Sequence, residues 1–549
     1  MEFKRTLLWM IFVFSLFTLW SNWKSYNNPA PLNTVTEQNQ SPATPSVPSA
    51  DTNSPATAPI KTNSVVSEDS EKITVKSDVL NLTFDTVGAQ LIKADLLNHH
   101  SAEDKALPTT LLDFKKDIFT VQSGVLSQTP NKQFPIQTTQ FKYVSTDENL
   151  SGDKKDIIFE AESDGIKVRR TYTLNKGSYD ITFKDEISNL SSEAISPIHY
   201  VQITRDGAKP KDSTSMTNSY WGYAVYSEKE KFEKVPFKDI DDRSAEYVSK
   251  TSDGWISFIQ HYFVTAWVLE KGKEHHIEFR KAGQNLYAAS ASQVLGVIAP
   301  QQTVTVSSHL WVGPQDQKAL VKLHPNLNTV VNYGWLTFIA KPMFALMSWI
   351  NTLIGNWGWT IVVLTIIIKL LLYPLSATSY KSMARMKNIS PRMKLLKEQY
   401  GDDKQKLNAA MMQLYKTEKI NPLGGCLPIL LQIPIFLTLY RVILSSVELR
   451  GASWIGWITD LSAQDPYYIL PTLMILTMFL QMRMNPTPPD PTQAKIMMIM
   501  PLVFGAMMFF FPAGLVLYWT VNSLLSILQQ WYNTKRFTQT SNEKILTHK

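Results

Sequence analysis

Lys369 is the one charge in an otherwise apolar run. Across Ile361–Leu375 its neighbours are apolar except Thr365 and Tyr373. A cation at mid-span costs about 2.5–3.5 kcal/mol on the insertion scale, so something must offset it. The stem could snorkel to headgroups, which lie about one and a half helical turns away. Alternatively, the ammonium faces a water-filled pocket between helices. Thr365 precedes it by four residues and shares its helix face. Other apolar runs also carry polar residues: Gln432, then Asn522, Ser523, Ser526 and Gln529. Asn522, Ser526 and Gln529 fall on one helical stripe. Such side chains can be interhelical glue. Beside one cation and no carboxylate, they read as the wall of a polar cavity. The chemistry this permits is non-covalent. An ion-coupled transporter needs intramembrane carboxylates. A basic groove instead attracts acidic or polar segments of another chain, and Met, Phe, Leu and Ile on neighbouring helices give a guest helix an adaptable surface.

Other chemistries are excluded by what the chain lacks. It has one cysteine, Cys426, so neither an intrachain disulfide nor a Cys-x-x-Cys site is possible. The nine histidines lie outside 325–547, and no His-Glu-x-x-His, P-loop or Gly-x-Gly-x-x-Gly occurs. No cofactor or metal is expected. The mean hydropathy of −0.12 over 549 residues hides an uneven distribution. Residues 496–534 contain no Lys, Arg, Asp or Glu, whereas 376–422 carry ten Lys/Arg against four Asp/Glu. The net charge of +7 comes mostly from that segment, so a nucleic-acid coat and recognition of specific nucleic-acid sequence are not expected.

The elements that must position Lys369 follow from the same patterning. Lys4-Arg5 precede an apolar run that ends Trp20-Ser21-Asn22-Trp23. Signal peptidase needs small residues at its site, so residues 1–24 read as an uncleaved transmembrane anchor, with a signal peptide as the other reading. Residues 25–70 are rich in Pro, Ser and Thr and read as a disordered periplasmic tether. From 71 the period becomes two. Leu80, Leu82 and Phe84 alternate with polar residues, as do Ile166, Val168, Tyr172 and Leu174. The turn 175–178 and Tyr179, Ile181 and Phe183 follow. This predicts a hairpin within a large antiparallel β-sandwich over 71–330. Its His99-His100 and His275-His276 pairs read as surface histidines, because adjacent strand residues point to opposite faces.

The stretch 331–355, with Lys341-Pro342 inside it, reads as an amphipathic helix in the outer interface. Spans are expected at about 357–375, 423–446, 467–482, 496–511 and 515–533. The break at Phe511-Pro512-Ala513-Gly514 splits the uncharged stretch into a hairpin. Lys/Arg-rich segments stay in the cytoplasm, so 376–422, 483–495 and the tail 535–549 belong inside. With the anchor this makes six spans with both termini cytoplasmic. A single long crossing over 496–534 would put the basic tail outside. Met383, Met386, Ile389, Met393, Leu396 and Tyr400 form one face of a helix, and Leu407, Met411 and Leu414 continue on a second. The pair reads as a basic helical hairpin, with Lys381, Arg385, Lys387, Arg392 and Lys394 available for recruitment. The fold class is therefore multi-domain, an α-helical polytopic membrane protein with a large β-sandwich outside.

Three segments carry a family likeness. Tyr415 to Pro428, containing Asn421-Pro422-Leu423-Gly424-Gly425-Cys426, leads into Gln432-Ile433-Pro434-Ile435-Phe436. Asp460 to Pro471 contains Asp465-Pro466-Tyr467-Tyr468. Phe511-Pro512-Ala513-Gly514 leads to Tyr518. These resemble the YidC/Oxa/Alb membrane protein insertases over about 330–535. Anchor, tether and β domain match the Gram-negative form. The resemblance implies a five-helix core around a hydrophilic groove, residence in the bacterial inner membrane, and no enzymatic activity. It implies insertion of nascent membrane proteins into the lipid bilayer, alone or with Sec translocon components; the basic hairpin makes the ribosome a further expected partner. The groove cation is usually arginine in this family, and the matching position here is Lys369. Charge is kept but the bidentate fork is lost. The paired aromatics of the last helix read Tyr518-Trp519.

Together these give a groove of Lys369, Thr365, Gln432, Asn522, Ser523, Ser526, Tyr518 and Trp519. Beside it lies an apolar slide of Ile433, Phe436, Leu437, Met507 and Phe510. A secondary transporter and a periplasmic carbohydrate enzyme on an anchor are the rival readings.

Overall fold

The computed structural model describes residues 70–547, apart from 102–103, 105, 116, 129–131, 146–151, 209–219, 402, 419–426 and 486–490. The anchor, nearly all of the tether and the Asn421-to-Cys426 motif lie outside the described residues. The chain divides into two units, one of residues 42–345 with 438–452, the other of 1–41, 346–437 and 453–549.

The first unit is built on two nine-stranded sheets among the described residues, antiparallel in their pairings. One runs through Lys72–Lys76, Leu80–Asp85, Gln90–His100, Phe119–Ser127, Pro197–Asp206, Leu286–Val294, His275–Gly283 and Lys250–Thr251, with Pro108–Leu112 beside Gln90–His100. The other runs through Lys231–Val235, Gly222–Ser227, Gly254–Gln260, Phe263–Val268, Thr303–Pro314, Asp180–Asn189, Ile166–Asn175, Lys154–Ser163 and Lys142–Tyr143. Ile166–Asn175 pairs with Asp180–Asn189 across a turn in which Gly177 takes φ +69°. Inward residues of both sheets make one core. Phe119 meets Phe258 edge-on at 5.2 Å, and Phe84 lies 4.9 Å from Tyr172. Each such side chain contributes roughly 1.5–3 kcal/mol on burial.

One ionic group crosses this core. Arg170 and Asp185 face each other in register and bond twice, at 2.9 and 2.8 Å. Arg170 also donates to the carbonyls of Gly88 and Ser123, and His199 on the opposite sheet bonds Asp185 at 3.1 Å. Burial would raise the Asp185 carboxyl, yet the Arg170 charge and the His199 hydrogen bond hold it below the usual range.

Residues 438–452 belong to this unit too. Arg450 donates to His100 O at 2.9 Å and lies over the rings of Tyr262 and Phe263. His261 bonds Leu444 O at 2.8 Å. His99 is drawn down to about 4, first by burial and then by the Arg450 charge. Nearby, Glu448 holds a buried carboxylate oxygen with no hydrogen-bond partner. Its carboxyl is pushed up to about 7, chiefly by burial, with the Asp316 charge adding and the Gln317 N–H and Lys318 opposing.

The helices are α1 Phe237–Asp241, α2 Gln317–Leu323, α3 Thr337–Ile354, α4 Trp357–Leu371, α5 Tyr373–Tyr400, α6 Lys404–Thr417, α7 Leu427–Ser445, α8 Ile469–Met484, α9 Pro491–Met508 and α10 Ala513–Thr547. Several boundaries differ from the sequence reading. The span placed at 357–375 stops at Leu371. Leu372 leaves helical geometry (φ −88°, ψ 2°), Pro374 opens the next helix, and the axes bend by 67°. Lys341-Pro342 does not break α3, which runs on through Pro342 with the loss of that residue's N–H bond. Gly334–Ile354 is long and apolar enough to cross a membrane. α9 begins at Pro491, inside the expected loop 483–495, because proline suits a first helical position.

In the second unit α10 is the central strut, packing along α4, α5 and α8. α9 approaches α8 closely at Gly505, where a Cβ would overlap Ile475. Ile389 and Met393 of α5 are buried against Met411, Leu414 and Tyr415 of α6, and Asp403 caps α6 through the N–H groups of Gln405 and Lys406.

Two outcomes follow. Arg170→Ala strands a buried carboxylate and should destabilise the β domain by about 3–5 kcal/mol, while Arg170→Met with Asp185→Leu should lose much less. Urea unfolding of the full chain in detergent, followed by tryptophan fluorescence, compares them. Glu448 has a raised pKa, so its contribution to docking of 447–450 is complete below its ordinary value of 4.5 and lost as pH rises through about 7. Hydrogen-exchange protection factors of these amides should fall from about pH 4.5 to about pH 7 and level off above it, and Glu448→Gln should abolish that fall.

Candidate functional site

Four helices of the second unit bring the polar residues together. Lys369 sits near the end of α4 and is only 4% exposed. Its Nζ donates to Ser526 Oγ of α10 at 2.6 Å. The ammonium therefore ends on a neighbouring helix. Ser526 Oγ donates to Asn522 O one turn away, at 2.7 Å. The Asn522 amide donates to Gln432 Oε1 of α7 at 3.3 Å. A polar line thus runs from α7 through α10 to α4. No Asp or Glu occurs within 357–397, 423–446, 467–489 or 496–534.

The remaining residues divide. Thr365 is buried on the expected face, but its hydroxyl bonds Ile361 O in its own helix. Ser523 and Tyr518 are buried on α10. Trp519 turns to the apolar side, 5.0 Å from Phe436 and 4.8 Å from Phe504. Adjacent residues lie about 100° apart on a helix, and here Trp519 falls on the side of Phe436 and Phe504. Trp519 is therefore corrected from the polar wall to the apolar one. Ile433 and Leu437 of α7 and Met507 of α9 are exposed, with Phe436 half-buried beside them. Phe510 is also exposed but lies in the turn after α9, since that helix ends at Met508. It is corrected from a helix-face position to a turn.

Lys381, Arg385, Lys387, Arg392 and Lys394 are exposed along α5, and Arg392 pairs with Glu418 at 2.7 Å. The start of α5 adds a polar face that the sequence reading passed over. Ser376, Ser379 and Tyr380 are buried, and Tyr380 OH donates to Ser526 O at 3.3 Å. Tyr373 OH donates to Asn533 Oδ1 at 3.2 Å. Their spacing of three and four residues was the available signal.

At the other end of α10, two motifs meet. Ala513 N and Gly514 N donate to Ala463 O and Leu461 O, and the Gln464 amide donates to Phe510 O. Asp465, 1% exposed, accepts from Trp457 Nε1 and from the N–H groups of Tyr467 and Leu470. One carboxylate thus holds both the loop and the start of α8, where Tyr468 is left-handed at φ 57°.

The histidine pairs of the β domain show no comparable convergence. His99 packs between Tyr179 and Phe263, while His275 is buried and bonds Lys273 O. Among the described residues no group of three or more His, Cys, Asp or Glu could hold a metal.

Comparison with known proteins now decides the family. Residues 349–541 match the family described as 60Kd inner membrane protein, and 72–346 match the YidC periplasmic domain. The membrane protein insertase YidC of Bordetella parapertussis is 51% identical over 562 residues, covering 97% of this chain and 98% of its own. This chain belongs to the YidC family of membrane protein insertases. The YidC proteins of Dechloromonas aromatica and Cupriavidus metallidurans are 45% and 44% identical, each over 97% of both chains. As a YidC insertase the chain is not an enzyme. It acts on membrane proteins in the lipid bilayer of the inner membrane, and its β-sandwich is the periplasmic domain.

Asp465→Ala should leave buried N–H donors unsatisfied and destabilise the helical unit of this YidC chain by about 1–3 kcal/mol. Thermal unfolding in detergent, compared with Asp465→Asn, measures it.

Proposed function

We propose that insertion proceeds through a groove with one buried cation and an apolar slide, without covalent chemistry. One observation carries this reading. Lys369 is buried against α10 with a hydroxyl, and no carboxylate, as its partner. Its field is not cancelled locally, and in low dielectric an uncancelled charge reaches further than it does in water.

The polar, extramembrane part of a single-span substrate enters against Lys369, Gln432 and Asn522. The apolar part leaves along Ile433, Phe436, Leu437 and Met507 towards lipid. An acidic tail then moves outward, helped by about 2.3 kcal/mol per charge per 100 mV. Exposed Lys381, Arg385, Lys387 and Lys394 present a positive face for ribosome or substrate recruitment. Both chain termini and this hairpin are cytoplasmic, in keeping with the placement of Lys and Arg. Function alone or with Sec translocon components belongs to the same reading.

The mechanism needs attraction and not a two-pronged clamp. Lys369→Arg should therefore retain function, and Lys369→Glu should lower insertion of a substrate with an acidic translocated tail by at least about tenfold. Insertion is scored by protease protection in cells depleted of the native protein. Full activity with the reversed charge would falsify the attraction step.

A further inference from the structure

The groove reading leaves open what keeps the ammonium inside. Lys369 lies two residues from the end of α4. A lysine so placed would ordinarily extend its stem towards water. It does not do so here. Its Nζ is held on Ser526, 157 residues away in sequence.

The Ser526 hydroxyl is fixed in its role. It spends its proton on Asn522 O at 2.7 Å, so its lone pairs are what it offers to Lys369. Helix α5 fixes the same turn of α10 from another side, through Tyr380 OH on Ser526 O. Gln529, a turn further on, donates to Lys369 O at 3.5 Å. Three helices thus converge on one serine. An ammonium has three N–H donors, and one is spent on Ser526. The other two are the donors that an incoming acceptor would take.

We propose that Ser526 is the positioning residue for Lys369: it parks the ammonium on α10 at groove depth, ready to exchange this hydroxyl for an acceptor on the substrate. The inference rests on the groove reading above.

The test uses the full chain in inverted membrane vesicles and a membrane-impermeant amine-acetylating reagent. Acetylation of Lys369 is quantified by peptide mass spectrometry. Ser526→Ala should raise it about tenfold, the order of one charge-assisted hydrogen bond, and Ser526→Thr should restore protection. Insertion of the acidic-tail substrate should fall with Ser526→Ala in the Lys369 chain, and the same change should add no loss in a Lys369→Gln chain. Independent, multiplying losses would assign Ser526 to general groove polarity and overturn the proposal, as would unchanged acetylation. If Ser526→Ala does not accumulate, Ser526→Cys keeps the volume, weakens the acceptor and carries the same comparison. The two readings fail separately. Unaltered insertion with Lys369→Glu removes the groove mechanism. Loss with Lys369→Glu beside unaltered acetylation in Ser526→Ala removes only the positioning role.

Discussion

A buried positive charge without a negative partner constrains everything around Lys369. Nearby helices must supply acceptors or the ammonium will leave. A carboxylate among them would neutralise its field. α10 meets both demands with one stripe of neutral polar side chains, Asn522, Ser526, Gln529 and Asn533, which reach α4, α5 and α7. Helix association in lipid gains little from the hydrophobic effect, so these hydrogen bonds also contribute to the packing of the bundle. The groups that join the helices are thus the same ones to which the proposed groove assigns substrate contact.

The periplasmic domain solves the opposite problem. Arg170 is buried too, but Asp185 faces it in register and His199 completes the group from the other sheet. Such a group is closed: its charges satisfy one another and little is left for a ligand. Its value lies in register. A slip of one residue in either strand of that hairpin would turn its charge outward and its apolar set with it, stranding the other charge. The charge is saturated in the sandwich and unsaturated in the helices, which is the contrast on which the proposed groove rests.

Much of this was legible in the sequence, though unevenly. Alternation gave the hairpin around Gly177, and the lone Lys369 with the stripe on α10 pointed to a polar wall. The buried ion pair was legible in principle. Arg170 shares parity with Val168 and Tyr172, and Asp185 with Phe183 and Ile187, so opposite charges sat at inward positions of paired strands. Counting only apolar residues concealed them. The bend at Leu372 was masked in a similar way, because hydropathy runs smoothly across it while Pro374 alone marks the new helix. The partners of Arg450 were beyond reach. His100 lies 350 residues earlier, Tyr262 and Phe263 are also distant in sequence, and no local period encodes such contacts.

The two ends of α10 are tied differently, and the difference bears on how a groove could open. At its start, backbone N–H groups of Ala513 and Gly514 bond the loop at 461–463, and Asp465 locks that loop to α8. These bonds are part of the fold, and breaking them exposes buried backbone polar groups at a cost of about 1–3 kcal/mol each. Further along, α10 is joined to α4, α5 and α7 mainly through side chains: Ser526 to Lys369, Asn522 to Gln432, Asn533 to Tyr373. A polar substrate segment can offer the same donors and acceptors, so exchanging these bonds leaves nothing unsatisfied. Helix separation should therefore start from the Lys369 side, with the Pro512 end acting as the fixed point. On the groove mechanism proposed above, a bundle tied this way would admit cargo from the Lys369 side and stay closed at the Pro512 end.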